Sequence, residues 1–358
     1  MTSACCPPSW HEQDGLGFDD PDSDNDLVPV SPESQTSDRY NARERHEKRR
    51  RWAEQYRASR VRQARRWAGV PVDRLSVQDL QQLKSHVRKG IPSNLRPRLW
   101  AVACSAPALL AKNPGEYARL VERATATRSS AMDQIDKDLR RTFPNHPFYR
   151  TDEGIRALRH CLLAFAARNP HIGYSQSMNF LAGLLNLLYA PEMAFWMMVA
   201  IVERILPRDF YDQSLLGCRV EIGVLRRLVT KKLPEIDEAL RRHRVDITVV
   251  CVGWFLCLFV NTLPIETVLR VWDCFLVEGD KILFRVGLAL LKMHSDDMLA
   301  CTDSPQMIRA LTRIGKDQYD CDTFLQAAFK RVGSLKRETI VRYRQLCREE
   351  ETNLSPQL

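Results

Sequence analysis

The chain has 358 residues, enough for one large domain or two ordinary ones, and 44% of them are hydrophobic. With 27% charged residues, this composition indicates a globular chain and excludes a collagenous or wholly disordered one. The longest apolar stretch, 249–260, is shorter than the roughly twenty residues that a membrane helix needs. The N-terminus also lacks the pattern of a signal peptide, so we expect a cytoplasmic protein.

The formal net charge of +9 is unevenly distributed along the chain. Residues 1–40 hold nine acidic side chains against Arg39 alone, a balance of −8, and almost no periodic apolar residues. Such a segment buries too little surface to order itself, so we predict a disordered acidic tail over 1–40. Residues 41–70 reverse the sign, with ten arginines and one lysine against three glutamates, a balance of +8.

The basic segment 41–70 contains good helix formers and places Trp52, Tyr56 and Val61 on one loose stripe, so we predict a helical arm. Three uses of this arm stay open. We favour packing on the edge of the domain through its tryptophans, followed by contact of residues 41–67 with an anionic membrane or an acidic partner. Nucleic-acid binding ranks last because no nucleic-acid module follows the arm, and we expect none.

Helical patterns recur through the rest of the chain, whereas the alternation typical of strands does not. A capping-box pattern at Ser76 opens a predicted helix that Gly90 closes, and Pro92 suits the first turn of the next helix. The later predicted helices lie at 153–168, 178–189, 194–205, 221–232, 234–243, 249–261, 264–276, 281–294, 307–314 and 323–331. We therefore predict an all-α domain of a dozen or more helices over 71–334, followed by a C-terminal helix and tail over 335–358.

Several kinds of catalytic site are excluded by missing motifs. Eleven cysteines are scattered without a CxxC pair or a Cys/His cluster, so we predict buried free thiols and no metal site. The phosphate-binding patterns GxxxxGK[ST] and GxGxxG are absent, so the chain is not expected to bind a nucleotide unaided. Residues 173–177 approximate the GxSxG elbow of hydrolases, but Ser177 stands where that motif needs glycine, and we disfavour a hydrolase.

Two short patterns suggest a candidate site. Ile135, Asp138 and Arg141 are spaced three apart, so on a helix Ile135 anchors inward and Asp138 pairs with Arg141. The following residues 142–144 end that helix and place Arg141 near its exposed end. Gln176 lies in a short break between two apolar helices, where it can orient a water molecule. On spacing alone, a surface ion pair and a solvated glutamine remain competing interpretations.

Three motifs, in order and at matching separation, resemble the signatures of the TBC domain family. They are Arg96 to Trp100 for RxxxW, Ile135 to Arg141 for IxxDxxR, and Tyr174 to Gln176 for YxQ. The resemblance continues through 179–183, 195–196, 205–207, 269–273 and 278–279, and it covers roughly residues 88–295. In overall length and in its C-terminal part, the chain is most similar to the small, single-domain members. This resemblance implies an all-helical TBC domain.

The resemblance implies a GTPase-activating protein for a Rab-family small GTPase, acting in vesicle trafficking and peripheral on endomembranes. The Rab partner carries GTP and Mg²⁺, so no cofactor of the chain's own is expected. By residue match, Arg141 would be the arginine finger, and Gln176 would position the attacking water. The supporting residues implied by the match are Asp138, Tyr174, Arg96, Trp100 and Ile135. Of these, Trp100 is expected to stabilise the fold, and Arg96 to make polar contacts near the binding groove.

One residue departs from the family pattern. Family members commonly carry glycine after the glutamine, whereas this chain carries Ser177, whose Cβ restricts the backbone or whose hydroxyl caps the following helix. If φ is positive at Ser177, the geometry of the site suffers and activity is low. The alternative function is therefore a weak or inactive module that binds a Rab without activating it, and the assignment as an enzyme activator stays open.

Overall fold

A computed structural model describes residues 35–354 of the chain. This part of the chain is all-α, with nineteen helices and no strand, and the prediction of an all-α fold is confirmed. The helices are α1 (Gln35–Trp67), α2 (Val77–Gln82), α3 (Lys84–Arg88), α4 (Arg96–Cys104), α5 (Ala106–Lys112), α6 (Glu116–Ala126), α7 (Ser130–Leu139), α8 (Asp152–Arg168), α9 (Met178–Leu188), α10 (Pro191–Ala200), α11 (Leu216–Lys232), α12 (Pro234–Arg242), α13 (Thr248–Leu256), α14 (Ile265–Glu278), α15 (Lys281–Met293), α16 (Ser295–Leu299), α17 (Ser304–Arg313), α18 (Cys321–Gln326) and α19 (Arg337–Leu354).

The first helix begins earlier than the charge pattern predicts. α1 starts at Gln35, so the last residues of the segment predicted as a disordered tail, 35–40, are helical. The remainder of that predicted tail, residues 1–34, lies outside the described residues. The boundary between the acidic and the basic segment therefore does not coincide with the start of α1.

Two predicted boundaries at the start of the domain also differ from the structure. The capping box of Ser76 and Asp79 is present, but the helix that it opens is divided at Leu83 into α2 and α3. The next helix, α4, begins at Arg96 and not at Pro92. The carbonyl of Pro92 instead accepts a hydrogen bond from the Arg96 N–H at 3.0 Å, which forms a turn that leads into α4.

The interior is built on helices that are apolar on nearly all sides. α14 buries eleven of its fourteen residues, and α10 buries eight of its ten. A helix that is hydrophobic all round must be surrounded by other elements, which explains why α9, α10, α14 and α15 lie at the centre. Trp100 of α4 packs against Trp272 of α14, with ring centroids 5.7 Å apart.

The basic helix α1 packs on the domain through one face. The Tyr56 hydroxyl donates to a carboxylate oxygen of Glu266 at 3.2 Å, and the indole N–H of Trp67 donates to the carbonyl of Gly90 at 2.9 Å. Gln63 is buried, and its amide lies so close to Gly90 that a Cβ there would clash at 2.5 Å. The glycine therefore permits the close approach of α1 to the domain.

The nine cysteines within residues 35–354 are all buried and free: Cys104, Cys161, Cys218, Cys251, Cys257, Cys274, Cys301, Cys321 and Cys347. Burial raises the pKa of each of these thiols above its ordinary value. In the same part of the chain, no cluster of His, Cys, Asp or Glu side chains could hold a metal ion. None of its helices is long and apolar enough to span a bilayer.

Candidate functional site

The C-terminal end of α7 presents Arg141 to solvent. Ile135 is fully buried and Asp138 nearly so, and these residues fix the orientation of the helix. α7 ends at Leu139, and Arg141 follows in a turn in which its N–H donates to the carbonyl of Asp138 at 3.1 Å. Its side chain is 65% exposed, and one guanidinium nitrogen lies 3.6 Å from a carboxylate oxygen of Asp138. The guanidinium is therefore loosely held, and most of its hydrogen-bond donors face outward.

Asp138 connects the Arg141 turn to the loop that carries Gln176. The hydroxyl of Tyr174 donates to the second carboxylate oxygen of Asp138 at 2.7 Å. Burial, together with the neighbouring carboxylate, raises the pKa of Tyr174 well above its ordinary value, so the hydroxyl keeps its proton at neutral pH. One carboxylate thus contacts both the candidate arginine and the loop of the candidate glutamine.

A second link between the same two loops runs through Thr142 and Asn179. The Thr142 hydroxyl donates to the carbonyl of Asp138 at 2.9 Å, and the amide nitrogen of Asn179 donates to the Thr142 hydroxyl at 2.8 Å. The amide oxygen of Asn179 lies 3.4 Å from the Tyr174 hydroxyl, which closes a ring of polar contacts. Thr142, Asn179 and Asp138 are buried, so these contacts hold the two loops in a fixed relation.

The roles of Thr142 and Asn179 were missed by reasoning from the sequence. Thr142 counted only as part of a helix end, and Asn179 only as part of the family resemblance. Their contact is made between residues thirty-seven positions apart, which spacing along one helix cannot reveal. The only local indication was the polar character of Asn179 in the otherwise apolar first turns of α9.

Gly183 allows the Arg141 turn to lie directly against α9. A Cβ at Gly183 would come within 2.8 Å of the Thr142 methyl and 2.9 Å of the Phe143 ring. The Tyr149 hydroxyl donates to the Gly183 carbonyl at 2.5 Å and joins the segment after this turn to α9. A glycine inside a helix has a conformational cost of about 0.5–1 kcal/mol, and here it permits close packing behind the candidate arginine.

Gln176 lies in the loop between α8 and α9, and its side chain is exposed. The next residue, Ser177, has φ +90°, in the left-handed region that an L-residue adopts at a cost of about 1–2 kcal/mol. Its hydroxyl does not cap α9. Of the two interpretations of Ser177, the structure therefore favours backbone restriction over capping.

The first of the three motifs, Arg96 to Trp100, lies in the interior. Arg96 is 3% exposed, and its guanidinium donates to Asp273 at 2.8 and 3.3 Å and to the carbonyl of Ile91 at 3.0 Å. The indole N–H of Trp100 donates to the same Asp273 at 2.9 Å. Burial alone lowers the pKa of a guanidinium, but the Asp273 charge raises the pKa of Arg96 on balance. Arg96 thus makes its polar contacts in the interior, contrary to the expected position near a groove, because a buried carboxylate needs a charged partner.

The geometry defines what this surface can do. An exposed guanidinium and an exposed amide project from two loops that a buried polar ring connects, and α9 packs behind both. A guanidinium fork suits phosphate oxygens, and an amide can both donate to and accept from a water molecule. Neither loop offers a nucleophile with an adjacent base, so the arrangement suits stabilisation of charge on a group that another molecule brings.

Comparison with known proteins places this geometry in context. The family model for the Rab-GTPase-TBC domain matches residues 93–299. Growth hormone-regulated TBC protein 1 of Homo sapiens is 39% identical over 305 residues, which cover 82% of this chain and 88% of the relative. Growth hormone-regulated TBC protein 1-A of Danio rerio is 37% identical over 300 residues, covering 82% and 83%. The crystal structure of the Chlamydomonas flagellar RabGAP TBC domain is 30% identical, with a TM-score of 0.72 over 81% of this chain and 97% of that one.

Proposed function

Because the chain belongs to the Rab-GTPase-TBC domain family, we propose that it is a GTPase-activating protein that supplies Arg141 and Gln176 to the active site of a Rab-family GTPase. The observation that carries this proposal is the hydrogen bond from Tyr174 to Asp138. It joins the loop of Gln176 to the carboxylate beside Arg141, so both side chains can reach one nucleotide together.

Arg141 acts on the phosphates of the GTP that the Rab carries. Its planar fork donates to oxygens between the β and γ phosphates, where negative charge develops during hydrolysis. An arginine supplied by a second protein typically increases the hydrolysis rate about 10³- to 10⁵-fold, which corresponds to an activation barrier lower by roughly 4–7 kcal/mol. Asp138 holds the guanidinium at 3.6 Å, which directs it while leaving its donors available to the partner.

Gln176 orients the water that attacks the γ phosphate. Its exposed amide can donate to a phosphate oxygen and accept from the water, a task that a glutamine of the GTPase performs in other systems. The Rab brings GTP and Mg²⁺, so the chain needs no nucleotide pocket or metal ligands of its own.

A Rab-binding module without activity is the second candidate function, and the positive φ of Ser177 favours it. Strain next to Gln176 raises the energy of the loop that carries the amide, which would lower the rate without removing the binding surface. The two candidates differ in one observable, because both bind a GTP-loaded Rab and only the first hydrolyses its nucleotide.

Single-turnover GTP hydrolysis on a panel of purified Rabs separates the candidates. The wild-type chain is compared with Arg141→Ala, Gln176→Ala and Arg140→Ala, the last being a control that removes the exposed arginine next to the finger. We expect one or a few Rabs to be accelerated by orders of magnitude by wild type and by the control, and by neither finger variant. Binding of a Rab without acceleration would select the inactive module.

We further propose that α1 brings the domain to anionic endomembranes. Its inner face packs on the domain, whereas Arg50, Arg57 and Arg65 are exposed on the outer face together with Val61, which is 51% exposed. Each basic residue near a negatively charged membrane surface contributes about 1 kcal/mol. Replacing all three arginines by alanine should weaken binding to phosphatidylserine-containing vesicles by about a hundredfold. Equal binding of wild type and variant, or equal binding to neutral vesicles, would refute the proposal.

A further inference from the structure

Cationic side chains from α11 and α15 converge on the segment 328–334, which follows α18. The ammonium group of Lys232 donates to two backbone carbonyls of this segment at 2.9 and 2.8 Å. The guanidinium of Arg285 donates to two others at 2.8 and 3.2 Å, and the ammonium group of Lys292 donates to a further one at 2.9 Å. Three cations from two helices are therefore held around one short stretch of backbone.

The ring of Phe329 in this segment brings a fourth cation into the group. The guanidinium carbon of Arg285 lies 5.2 Å from the centroid of that ring, and the guanidinium carbon of Arg88, from α3, lies 4.2 Å from it. Lys281 adds a fifth, because it lies one turn before Arg285 on the same face of α15. Together these side chains form what we call the basic cluster: Arg88, Lys232, Lys281, Arg285 and Lys292.

The basic cluster has one carboxylate against its five positive charges. Arg88 donates to both oxygens of Glu278 at 2.7 and 2.6 Å, and this is the only ion pair that any member of the cluster makes within residues 35–354. Arg285 is 9% exposed, and its Nε is buried without a hydrogen-bond partner in the same part of the chain. A buried guanidinium without an acidic partner has a high energetic cost. An anion bound here would reduce that cost.

The positive charges of the cluster also repel one another. Burial and the charge of Arg88 lower the pKa of Arg285, against the opposing effect of Glu278. Burial likewise lowers the pKa of Lys281, and the charges of Arg285 and Arg88 lower it further, while Glu278 opposes them. The fold therefore holds like charges together with too little negative charge to balance them.

Capping of backbone carbonyls explains only part of the basic cluster. Cationic side chains commonly bind the last carbonyls of a helix, and Lys232, Arg285 and Lys292 do so here. Arg88 and Lys281 bind none of these carbonyls. Lys281 makes no hydrogen bond and no ion pair within residues 35–354, and the Arg88 side chain is 38% exposed. These two side chains therefore keep donors for a ligand from outside.

The charge and the donor types indicate a ligand with several phosphate groups. A phosphate monoester carries about −1.5 to −2 charge at neutral pH and three strong acceptor oxygens, and a guanidinium fork matches two of them. Two phosphates on one small molecule thus supply most of the charge that the cluster lacks. A peptide carboxylate carries a single charge, so several residues of a peptide would have to converge to supply as much.

We propose that the basic cluster is a binding site for a multiply phosphorylated anion of the kind found in phosphoinositide headgroups. This inference does not rest on the proposed function, because neither finger loop contributes to the cluster. The C-terminal end of α1 lies close by, since the Trp67 indole donates to the carbonyl of Gly90, two residues after Arg88. A lipid headgroup of a membrane that contacts α1 is thus one source of the ligand, and a free inositol phosphate is the other.

Calorimetric titration of the full chain with soluble inositol trisphosphate tests the site. Lys281→Gln removes a charge that has no partner in the described fold, so we expect the dissociation constant to rise about tenfold while the melting temperature stays constant or rises. Arg285→Gln should raise the dissociation constant about ten- to a hundredfold. It should also lower the melting temperature, because two carbonyls lose their donor.

The double variant Arg313→Gln with Lys316→Gln is the matched control. It removes two exposed charges at the end of α17 that none of the contacts above includes. We expect the control to keep the wild-type dissociation constant. An equal loss of affinity in the control and in Lys281→Gln would show attraction by overall charge and would overturn the site.

Vesicles separate the two sources of the ligand. Binding of wild type to vesicles that contain phosphatidylinositol bisphosphate is compared with binding to phosphatidylserine vesicles of equal total charge. A lipid headgroup as the ligand predicts tighter binding to the bisphosphate vesicles. This preference should be lost in Lys281→Gln and retained in the triple arginine variant of α1. Equal binding to both kinds of vesicle, together with binding of soluble trisphosphate, assigns the site to a free inositol phosphate.

Three further results would show that the proposal is wrong. Wild type binds neither the trisphosphate nor the bisphosphate vesicles in the first. In the second, Lys281→Gln and Arg285→Gln both bind the trisphosphate as tightly as wild type does. In the third, the trisphosphate binds only after the five aspartates within 19–26 are replaced by asparagine, because the occupant of the cluster is then the acidic segment of the chain itself.

Discussion

Arg96 and Arg141 each belong to a short motif with an aspartate partner, yet their surroundings are opposite. Arg96 is 3% exposed and donates three hydrogen bonds, two to Asp273 and one to a backbone carbonyl. Arg141 has a side chain that is 65% exposed and a single carboxylate at 3.6 Å. The difference between them lies in how much of the hydrogen-bonding capacity of the guanidinium the fold uses.

That contrast separates a structural arginine from one available to a partner. A guanidinium whose hydrogen-bond donors are all used inside the protein has no free donor for another molecule. Removing it leaves the buried carboxylate without its charged partner. One held by a single long contact keeps its fork for phosphate oxygens. The predictions below test this distinction, from the largest expected effect to the smallest.

Removing Arg141 should abolish stimulation of GTP hydrolysis while the fold stays intact. We expect Arg141→Ala to lower the single-turnover rate about 10³- to 10⁵-fold, and Arg141→Lys to fail as well, because lysine lacks the planar fork. The melting temperature should change by less than about 1 °C, since an exposed ion pair contributes little. A strong rate increase by the lysine variant would show that charge alone is sufficient and would contradict a finger mechanism.

Removing Arg96, in contrast, should lower the stability of the fold. Arg96→Ala leaves the fully buried Asp273 without its main partner, so we expect a loss of about 3–5 kcal/mol in the free energy of unfolding. Arg98→Ala is a control in the same helix, because Arg98 is half exposed and pairs with an exposed Asp73. The control should lose less than about 1 kcal/mol. Denaturant unfolding measures both, and equal stability of the two variants would refute the structural role of Arg96.

Replacing Tyr174 by phenylalanine tests the connection between the two finger loops. Tyr174→Phe keeps the ring and removes the hydrogen bond to Asp138, so we expect kcat to fall about tenfold with KM unchanged and a loss of stability of about 1–2 kcal/mol. Tyr117→Phe is the control, because its half-buried ring packs against Phe195 and no hydrogen bond of its hydroxyl is found within residues 35–354. An effect on stability alone, with wild-type kcat, would make Tyr174 a packing residue only.

The smallest effect is expected at Ser177. Ser177→Gly removes the strain of a left-handed backbone, which costs a serine about 1–2 kcal/mol. About half of this gain is lost because glycine has more conformational freedom in the unfolded chain. We therefore expect the free energy of unfolding to rise by about 0.5–1 kcal/mol and the hydrolysis rate to rise severalfold. A lower rate in the glycine variant would show that the serine side chain helps to place Gln176.

The sequence predicted the fold class and the helices with strong apolar periodicity, such as α8 and α9, because their patterns are local. It did not predict the division at Leu83 or the early start of α1, because contacts with other elements and not local spacing set such boundaries. The packing of α1 through Trp67 was among its alternatives, but the contact with Gly90 depends on residues far apart in the chain.

The candidate site likewise has features that the sequence indicated and features that it did not. The three-residue spacing indicated that Asp138 and Arg141 meet, and they do, although α7 ends at Leu139 and Arg141 lies in the turn that follows. The ring through Thr142 and Asn179 joins separate segments, and no local pattern indicates it. The helix end at 142–144 indicated the exposure of Arg141, whereas no local pattern indicated the burial of Arg96, because a motif records which residue is present and not how much solvent reaches it.

The nine buried cysteines make the described part of the chain convenient for site-specific labelling. Eight of them are at most 5% exposed and Cys301 is 9% exposed, and their raised pKa values keep them protonated at neutral pH, so alkylating reagents should react with them slowly. Within residues 35–354, a cysteine introduced at an exposed position such as Lys137 would be the fast-reacting thiol. With Cys5 and Cys6 replaced by serine, a fluorophore attached there would report arrival of a GTPase at the fingers in real time, in a chain whose interior needs no change.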